Sequence, residues 1–196
     1  TPLYSSAASD VYKRQGLTVF VLPNPKEIEE MYENLRTTGQ LTGHLEEAEA
    51  LIAELQGRVQ AVDEKIVGAQ ERPLVFYELD STEPDSPWTA GSGTFIDRLI
   101  DRAGGENLGN MLEGEWAQIS IEALLVEDPD IILLGDYTWG GVTPEDVQAR
   151  PSWQGLSAVE NGRIHPFDDN LVSRPGPRLV DGLEEMARLL HPELFE

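Results

Sequence analysis

Residues 115–134 read E-W-A-Q-I-S-I-E-A-L-L-V-E-D-P-D-I-I-L-L, and the two elements in this stretch decide the fold class. Ser120 is a helix-capping residue type, and the apolar residues after it predict a short helix through Leu125. Asp130 then opens the run D-I-I-L-L, in which every residue after the aspartate is apolar. Such a run is typical of a strand that is buried on both faces of a parallel sheet.

The alternation of strands and helices continues on both sides of this stretch. Leu74–Leu79 and Arg163–Phe167 have the composition of further strands. Helices are predicted after the capping residue Thr94, from Pro144 to Ala149, and from Pro177 onward. A repeated order of strand and helix gives an α/β fold, so we predict a parallel sheet with helices on both faces.

One long helix is predicted before this sheet. Apolar residues between Leu45 and Ile66 recur at alternating steps of three and four, which places a single apolar stripe on a helix from Leu45 to Val67. At a rise of 1.5 Å per residue, this helix would be on the order of 35 Å long. A coiled-coil segment shows the same stripe and is the alternative.

The residues before the long helix read as one strand and one helix. Leu17–Leu22 (L-T-V-F-V-L) is nearly continuously apolar and predicts a strand buried on both faces. Asn24 and Glu27 predict a capping box for a helix that Gly39 can end. The neighbouring strands that such a strand needs are not found in this chain, so we expect the region before Leu45 to fray or to self-associate.

Composition excludes several classes of partner and site. The 14 basic and 36 acidic residues give a net charge of −22, which repels nucleic acids and anionic membranes. The chain has no cysteine, so disulfides, thiolate metal sites and cysteine nucleophiles are excluded. The three histidines are scattered without metal-ligand spacing, so no metal site is predicted. No apolar run reaches the roughly 20 residues that span a bilayer, so no direct membrane insertion is predicted.

Three motifs stand out together: W-T-A-G-S-G-T-F-I-D-R-L-I-D-R-A-G-G-E-N-L at residues 88–108, the stretch at residues 115–134, and N-G-R-I-H-P-F-D-D-N-L-V-S-R-P-G-P-R-L-V-D-G-L at residues 161–183. In their order and spacing they resemble the C-terminal lobe of ABC-importer substrate-binding proteins of the helical-backbone type, which bind cobalamin and iron-siderophores. The resemblance implies a non-native leader at residues 1–15, a remnant of the N-terminal lobe at 16–43, a long interlobe helix at 44–70, and a C-terminal ligand-binding lobe at 71–196.

The resemblance implies transport and no catalysis. We expect an extracytoplasmic protein, periplasmic or at the cell surface, whose signal sequence is missing from this chain. It would need no cofactor, would capture cobalamin between two lobes, and would deliver it to an ABC permease of the inner or cell membrane. An iron-siderophore or haem is the alternative ligand. A stand-alone α/β enzyme and an interaction module without a small ligand are the alternatives from other classes.

Two tryptophans are the main candidates for ligand contact. Trp88 lies among proline, aspartate and serine after a strand, which is poorly suited to a core position. In the resembled family, aromatic residues at the positions of Trp88 and Trp116 line the cleft, and two aromatic faces suit a flat ligand. Packing in the core is the alternative for each. Leu79 matches a position that is aromatic in a cobalamin binder, so its ligand contact is expected to be weaker.

A glycine-rich turn follows Trp88, at residues 90–93 (A-G-S-G). One interpretation is a cradle for phosphate, because backbone amides at the start of a helix attract anions. However, the turn lacks the lysine of a P-loop and the full dinucleotide fingerprint. The other interpretation is that the glycines permit the turn into the next helix.

Polar residues after the last strand form a second candidate region. Asp169, Asn170 and Arg174 could form a polar rim that binds amide or carboxylate groups of a ligand, and the family has a cleft arginine at the position of Arg174. The alternative is that Arg174 braces the loop by pairing with Asp168 or Asp169. The same cluster is the one set of residues that an enzyme could use.

Glu122 is the candidate for contact with the permease. It lies in the first turn of the helix after Trp116, where a surface glutamate of the resembled family pairs with an arginine of the permease. A glutamate is also favourable at this place through the helix dipole alone.

Overall fold

The computed structural model describes residues 12–195, and its central element is a four-stranded sheet. The strands lie in the order β3 (Glu106–Asn107), β1 (Leu74–Glu78), β5 (Ile131–Leu134) and β6 (Ile164–Pro166). Every neighbouring pair in this sheet is parallel, with Val75 beside Ile131 and Ile132 beside Ile164. The predicted parallel α/β fold is therefore confirmed. The strands are β1 Leu74–Glu78, β2 Trp88–Ala90, β3 Glu106–Asn107, β4 Trp116–Gln118, β5 Ile131–Leu134 and β6 Ile164–Pro166.

Helices cover both faces of this sheet, as predicted. Alternate strand residues face opposite sides, because the side-chain period of a strand is two. Val75 and Leu133 therefore join one core cluster, whereas Phe76 and Ile132 join the other. The helices are α1 Ile28–Thr42, α2 Leu45–Ile66, α3 Phe95–Arg102, α4 Ile121–Glu127, α5 Tyr137–Gly140, α6 Pro144–Gln148, α7 Ser157–Glu160 and α8 Leu179–Leu190. The first core cluster holds residues of α1, α2, α3 and α8, and the second holds residues of α4, α6 and α7.

The long helix α2 is continuous, as its apolar stripe predicted. Leu55 and Val59 on the stripe are buried within the chain's own core, so the stripe does not need a coiled-coil partner. Arg58 of α2 also pairs with Asp181 at 2.6 Å and with Glu184 at 2.7 Å on α8. Apolar burial and a bidentate ion pair thus both fix α2 to the sheet-bearing part of the chain.

Two predicted helix starts are capped as expected. Thr94 Oγ1 accepts a hydrogen bond from the amide of Asp97 at 3.1 Å, and Ser120 Oγ accepts from the amide of Ala123 at 3.3 Å. These bonds satisfy amide groups that have no partner inside the helix. The helix predicted from Pro177 begins two residues later, at Leu179.

The strand predicted at Leu17–Leu22 is wrong. Residues 17–25 have no regular secondary structure, and Phe20 is 63% exposed. A strand needs a hydrogen-bonding partner on at least one side, and the described residues offer none beside this segment. The leader predicted at residues 1–15 lies, up to residue 11, outside the described residues.

The predicted ends of α1 are also wrong. Asn24 does not cap the helix, which starts at Ile28 with Glu27 in the cap position and no side-chain cap bond. Gly39 does not end it, since the helix continues to Thr42. A Cβ atom on Gly39 would lie 2.6 Å from the Cβ atom of Ala48, so this glycine instead lets α1 and α2 approach closely.

Candidate functional site

The loops that follow β1, β5 and β6 lie together at the carboxyl edge of the sheet, because these three strands are parallel neighbours. Ligands of open α/β sheets bind at this edge, outside the ends of the strands. All the predicted ligand-contact residues belong to this edge or to elements attached to it. The candidate site therefore extends from the loop after β1 to the loop after β6.

The two candidate tryptophans lie on one face of a small antiparallel ribbon formed by β2 and β4. Trp88 pairs with Gln118, and Ala90 pairs with Trp116, so the two indoles are diagonal neighbours on the same face. Trp88 is 40% exposed and Trp116 is 51% exposed. Neither is a core residue, so the packing alternative for these two tryptophans is excluded. The sequence did not predict the ribbon.

The ribbon is attached to the end of β1. The amide of Leu79 donates to the carbonyl of Trp88 at 2.9 Å, and the amide of Trp88 donates to the carbonyl of Asp80 at 2.8 Å. Leu79 itself is only partly exposed and packs against the core. The backbone thus fixes Trp88 beside the carboxyl edge, while the Leu79 side chain is shared between core and surface.

The glycine-rich turn serves close packing. A Cβ atom on Gly91 would lie 2.2 Å from the carbonyl oxygen of Gly114, so only glycine allows this approach. The amide of Gly91 donates to Glu115 at 2.8 Å, and the amide of Gly93 donates to Asp97 Oδ2 at 2.9 Å. These two glycine amides are already bonded, and the close contact at Gly91 requires a glycine, so both observations favour the turn interpretation.

The loop after β6 presents the predicted polar residues. Asn170 Nδ2 donates to Asp168 Oδ1 at 2.8 Å, and this bond is the main reason that the pKa of Asp168 lies below its ordinary value. Tyr77 donates its hydroxyl to Asp169 Oδ1 at 2.7 Å. Burial raises the pKa of Tyr77 well above its usual range, so the hydroxyl keeps its proton. Asp168 is therefore held by its own loop, and Asp169 by the core.

Arg174 is exposed and, within residues 12–195, forms no ion pair. The bracing alternative, in which it pairs with Asp168 or Asp169, is therefore not seen. Its guanidinium is available to a ligand at the rim. The charge of Arg178 contributes to lowering the pKa of the Asp168 carboxyl.

A buried polar cluster that the sequence did not reveal lies at the ends of β1 and β5. Arg150 donates to both carboxylate oxygens of Glu78, at 2.6 and 3.0 Å, and to Ser81 Oγ at 2.8 Å. Ser81 in turn donates its amide and hydroxyl to Asp136 Oδ2, at 3.0 and 2.7 Å. Burial raises the pKa values of both Glu78 and Asp136. Glu78 and Arg150 are 72 positions apart in the sequence, so no local sequence pattern predicts their contact.

Helix α5, a single turn after β5, carries two further aromatic residues that the sequence reasoning missed. Tyr137 is 43% exposed and Trp139 is 58% exposed. Between them, Thr138 Oγ1 donates to Asp168 Oδ1 at 3.3 Å, which links this turn to the loop after β6. The sequence does carry one signal that could have identified them, because both aromatic residues follow closely after a buried strand.

Glu122 is exposed in the first turn of α4, as predicted. Val126, one helical turn later, is also largely exposed. The surface of α4 at these residues is thus a carboxylate beside an apolar side chain.

The described residues offer neither a metal-binding cluster nor a membrane-spanning helix. Within residues 12–195, no group of three or more histidine, aspartate or glutamate side chains is arranged to hold a metal ion. No helix in the same range combines the length and the apolar composition that crossing a bilayer needs.

Comparison with known proteins identifies relatives of one kind. The family model described as "Periplasmic binding protein" matches residues 4–171. An uncharacterized ABC transporter substrate-binding lipoprotein, YvrC of Bacillus subtilis, is 30% identical over 196 residues, with 97% of this chain and 60% of its own length covered. A cobalamin-binding protein of Halobacterium salinarum is 30% identical over 186 residues, with 90% of this chain and 48% of its own length covered.

A solved structure has the same fold. The crystal structure of a possible iron-binding (periplasmic solute-binding) protein from Staphylococcus epidermidis has a TM-score of 0.81 and 26% identity, with 93% of this chain and 70% of that chain covered. Against the two curated relatives, the chain spans 60% and 48% of their length.

Proposed function

This chain belongs to the periplasmic binding protein family, and we propose that it forms one lobe and the interlobe helix of an extracytoplasmic substrate-binding protein for ABC import. In this proposal, residues 16–43 are the remnant of the other lobe, residues 44–70 are the interlobe helix, and residues 71–196 are the ligand-binding lobe. The protein captures a small molecule between two lobes and delivers it to a membrane permease, with no change to the bonds of the ligand.

The observation that carries this proposal is the aromatic face of the ribbon. Trp88 and Trp116 leave about half of each indole in water on the same face. Exposed apolar surface is unfavourable at roughly 25 cal/mol per Å², so a ligand that covers both rings is stabilised by burial. Aromatic contact adds about 0.5–1.5 kcal/mol per ring beyond that area. Two adjacent indoles therefore favour a broad, flat ligand.

We propose cobalamin as that ligand. Its corrin offers a broad face, and its amide side chains match a rim of Asp169, Asn170 and Arg174, which together accept and donate hydrogen bonds. The Halobacterium salinarum relative, which is described as a cobalamin-binding protein, supports this choice. Leu79 would contribute a smaller apolar contact at the edge of the indole pair.

A ferric siderophore or haem is the second candidate. The similar Staphylococcus epidermidis structure is described as possibly iron-binding, which favours an iron chelate. Haem and carboxylate siderophores are anionic, and Arg174 is the rim cation that would meet them. Asp168 and Asp169 belong to the same loop as this arginine and would oppose anionic ligands, so cobalamin remains the first choice.

The test is a titration of this chain with cyanocobalamin, haemin and ferrioxamine by isothermal calorimetry. We expect cyanocobalamin to bind most tightly, and Trp88→Ala or Trp116→Ala to weaken its binding about 5- to 50-fold, since each loses a ring contact and its buried area. Val67→Ala is the matched control, because Val67 is exposed and lies before β1, at the opposite edge of the sheet. Unchanged affinity in both tryptophan variants would refute the aromatic site, and tighter binding of ferrioxamine or haemin would replace cobalamin as the ligand.

Glu122 is the proposed contact with the permease. Its position at an exposed helix start, with Val126 beside it, gives a partner both a charge and an apolar contact. In a protein that contains both lobes, Glu122→Lys should impair transport and leave ligand affinity unchanged, because a reversed charge turns attraction into repulsion. Glu145→Lys on α6, also exposed, is the matched control. Equal loss of affinity and transport would instead place Glu122 in the cleft.

A further inference from the structure

We propose that helix α5, the turn at residues 137–140, forms the centre of the ligand floor, and that Trp139 provides a third aromatic face for a planar conjugated macrocycle. The inference rests on the proposed ligand-binding function. It adds residues 137–140 to the site and assigns the class of ligand that these residues favour. No predicted contact residue lies in this turn.

The order of the strands places the turn in the centre. In the sheet, β5 lies between β1 and β6, so the loop after β5 lies between the loops that follow the other two. The loop after β1 leads into Trp88, and the loop after β6 carries Asp169 and Asn170. A ligand that touches both the indole pair and the polar rim therefore passes over residues 137–139.

Side-chain hydrogen bonds hold the turn to both neighbours. On the β1 side, Ser81 donates its amide and hydroxyl to Asp136 Oδ2, directly before the turn. On the β6 side, Thr138 donates to Asp168 at 3.3 Å. The turn also starts at a close approach, since a Cβ atom on Gly135 would lie 2.5 Å from the ring of Tyr77. The three loops thus form one linked surface.

The aromatic residues of the turn are exposed although its backbone is held. Tyr137 and Trp139 are 43% and 58% exposed, whereas Trp153 and Phe167 elsewhere in the lobe are fully buried. Large apolar side chains that lie in water on a fixed surface are typical of ligand sites. With Trp88 and Trp116, the edge presents aromatic faces from two separate elements, which a single small ring could not cover.

The charged residues around the turn restrict which chemical groups the edge of that macrocycle can carry. Asp168 and Asp169 follow on one side, and Asp136 lies buried beneath. The Arg150 guanidinium is already engaged by Glu78 and Ser81, which leaves Arg174 and Arg178 as the cations of this region. The carboxylates favour a ligand edge that donates hydrogen bonds, such as amides, over one that carries several carboxylates. The ligand class is thus a planar macrocycle with an amide-bearing edge.

The experiment measures the affinity of this chain for cyanocobalamin, haemin and ferrioxamine, of which the last has no aromatic ring. We expect Trp139→Ala to weaken cyanocobalamin binding about 5- to 30-fold and Trp139→Phe to recover most of the loss, because phenylalanine keeps an aromatic face. Any binding of ferrioxamine should be unaffected by Trp139→Ala. Val67→Ala again controls for the loss of an exposed apolar residue, and circular dichroism checks that each variant is folded.

Each alternative result would contradict a specific part of the proposal. If Trp88→Ala weakens cyanocobalamin binding and Trp139→Ala does not, the turn lies outside the site and the inference fails while the proposed function stands. If Trp139→Ala weakens ferrioxamine as much as cyanocobalamin, or if Trp139→Phe gives no recovery, the ring-face role is wrong. If none of the three probes binds the unmodified chain, the proposed function fails and this inference fails with it.

Discussion

Two stretches of this chain share one sequence pattern and have opposite structures. Residues 17–22 (L-T-V-F-V-L) and residues 131–134 (I-I-L-L) are both nearly continuously apolar and rich in strand-forming residues. The second is strand β5, in which every side chain is fully buried. The first has no regular structure, and Phe20 within it is 63% exposed.

The difference lies in the partners of each stretch. Strand β5 pairs with β1 on one side and β6 on the other, and helices cover both of its faces. Residues 17–22 have no such neighbours among the described residues. An apolar run therefore indicates that a segment can be a buried strand, but the hydrogen bonds and the cover that make it one come from elsewhere.

Hydrogen exchange should give the largest contrast between the two stretches. Amides in the middle of a core sheet exchange only through global unfolding, whereas unpaired amides exchange freely. We expect the amides of Ile132 and Leu133 to exchange about a thousandfold or more slowly than those of Val19 and Val21, since even a marginal domain has about 5 kcal/mol of stability. Strong protection of Val19 and Val21 in a verified monomer would show that the first stretch is packed and would contradict the comparison.

Truncation of one side chain in each stretch should give the next largest effect. Leu133→Ala should lower the free energy of unfolding by about 2–5 kcal/mol, because it removes buried methyl groups and leaves a cavity. The matched change Val21→Ala should alter it by less than about 0.5 kcal/mol, as is usual at exposed positions. Urea denaturation of both variants measures the difference. Similar losses in the two variants would mean that residues 17–22 contribute to the core.

The sequence predicted those parts of the fold in which the pattern and the packing agree. Three features illustrate this agreement: the apolar stripe of α2, the apolar run of β5 and the helix cap at Thr94. In each, the local sequence favours the element that the packing of the rest of the chain also stabilises. The ends of α1 were wrong, because Gly39 reads as a helix end but is used for close contact with Ala48. A local rule cannot report which neighbour a glycine meets.

The site was predictable only in part, for the same reason. Trp88 and Trp116 were recognised as poor core residues, and the structure finds both exposed on one face. The ribbon beneath them has strands of three residues, too short to show an alternating pattern. The centre of the floor at residues 137–139 follows from the order of strands in the sheet, which no motif states.

Two aspartates extend the comparison from apolar to charged side chains. One is buried and the other is exposed, and we expect their contributions to stability to depend on pH in opposite directions. Asp136 is buried, and its folded-state pKa is raised mainly by desolvation. Its contribution to stability is complete below the unfolded pKa of about 3.9 and is lost as the pH rises through the folded pKa. Asp146 is exposed, and hydrogen bonds from the Thr143 amide and hydroxyl lower its pKa. Its contribution is present above that unfolded value and is lost as the pH falls through the folded pKa.

Substitution of each aspartate by asparagine should reveal these opposite dependences, because asparagine does not titrate. Relative to the unmodified chain, the stability of Asp136→Asn should improve as the pH rises above about 4, by about 1.4 kcal/mol for each unit by which the folded-state pKa of Asp136 exceeds its unfolded value. The relative stability of Asp146→Asn should instead decline as the pH rises through the range just below the unfolded pKa of about 3.9, and should then stay constant. Urea denaturation at pH 3, 4, 5 and 7 measures both series against the unmodified chain, so the titration of the other carboxylates cancels.

Parallel pH dependences in the two variants would show that burial does not separate these carboxylates. Opposite dependences would show that, for charges as for apolar side chains, the surroundings of a residue determine its energy more than its type does.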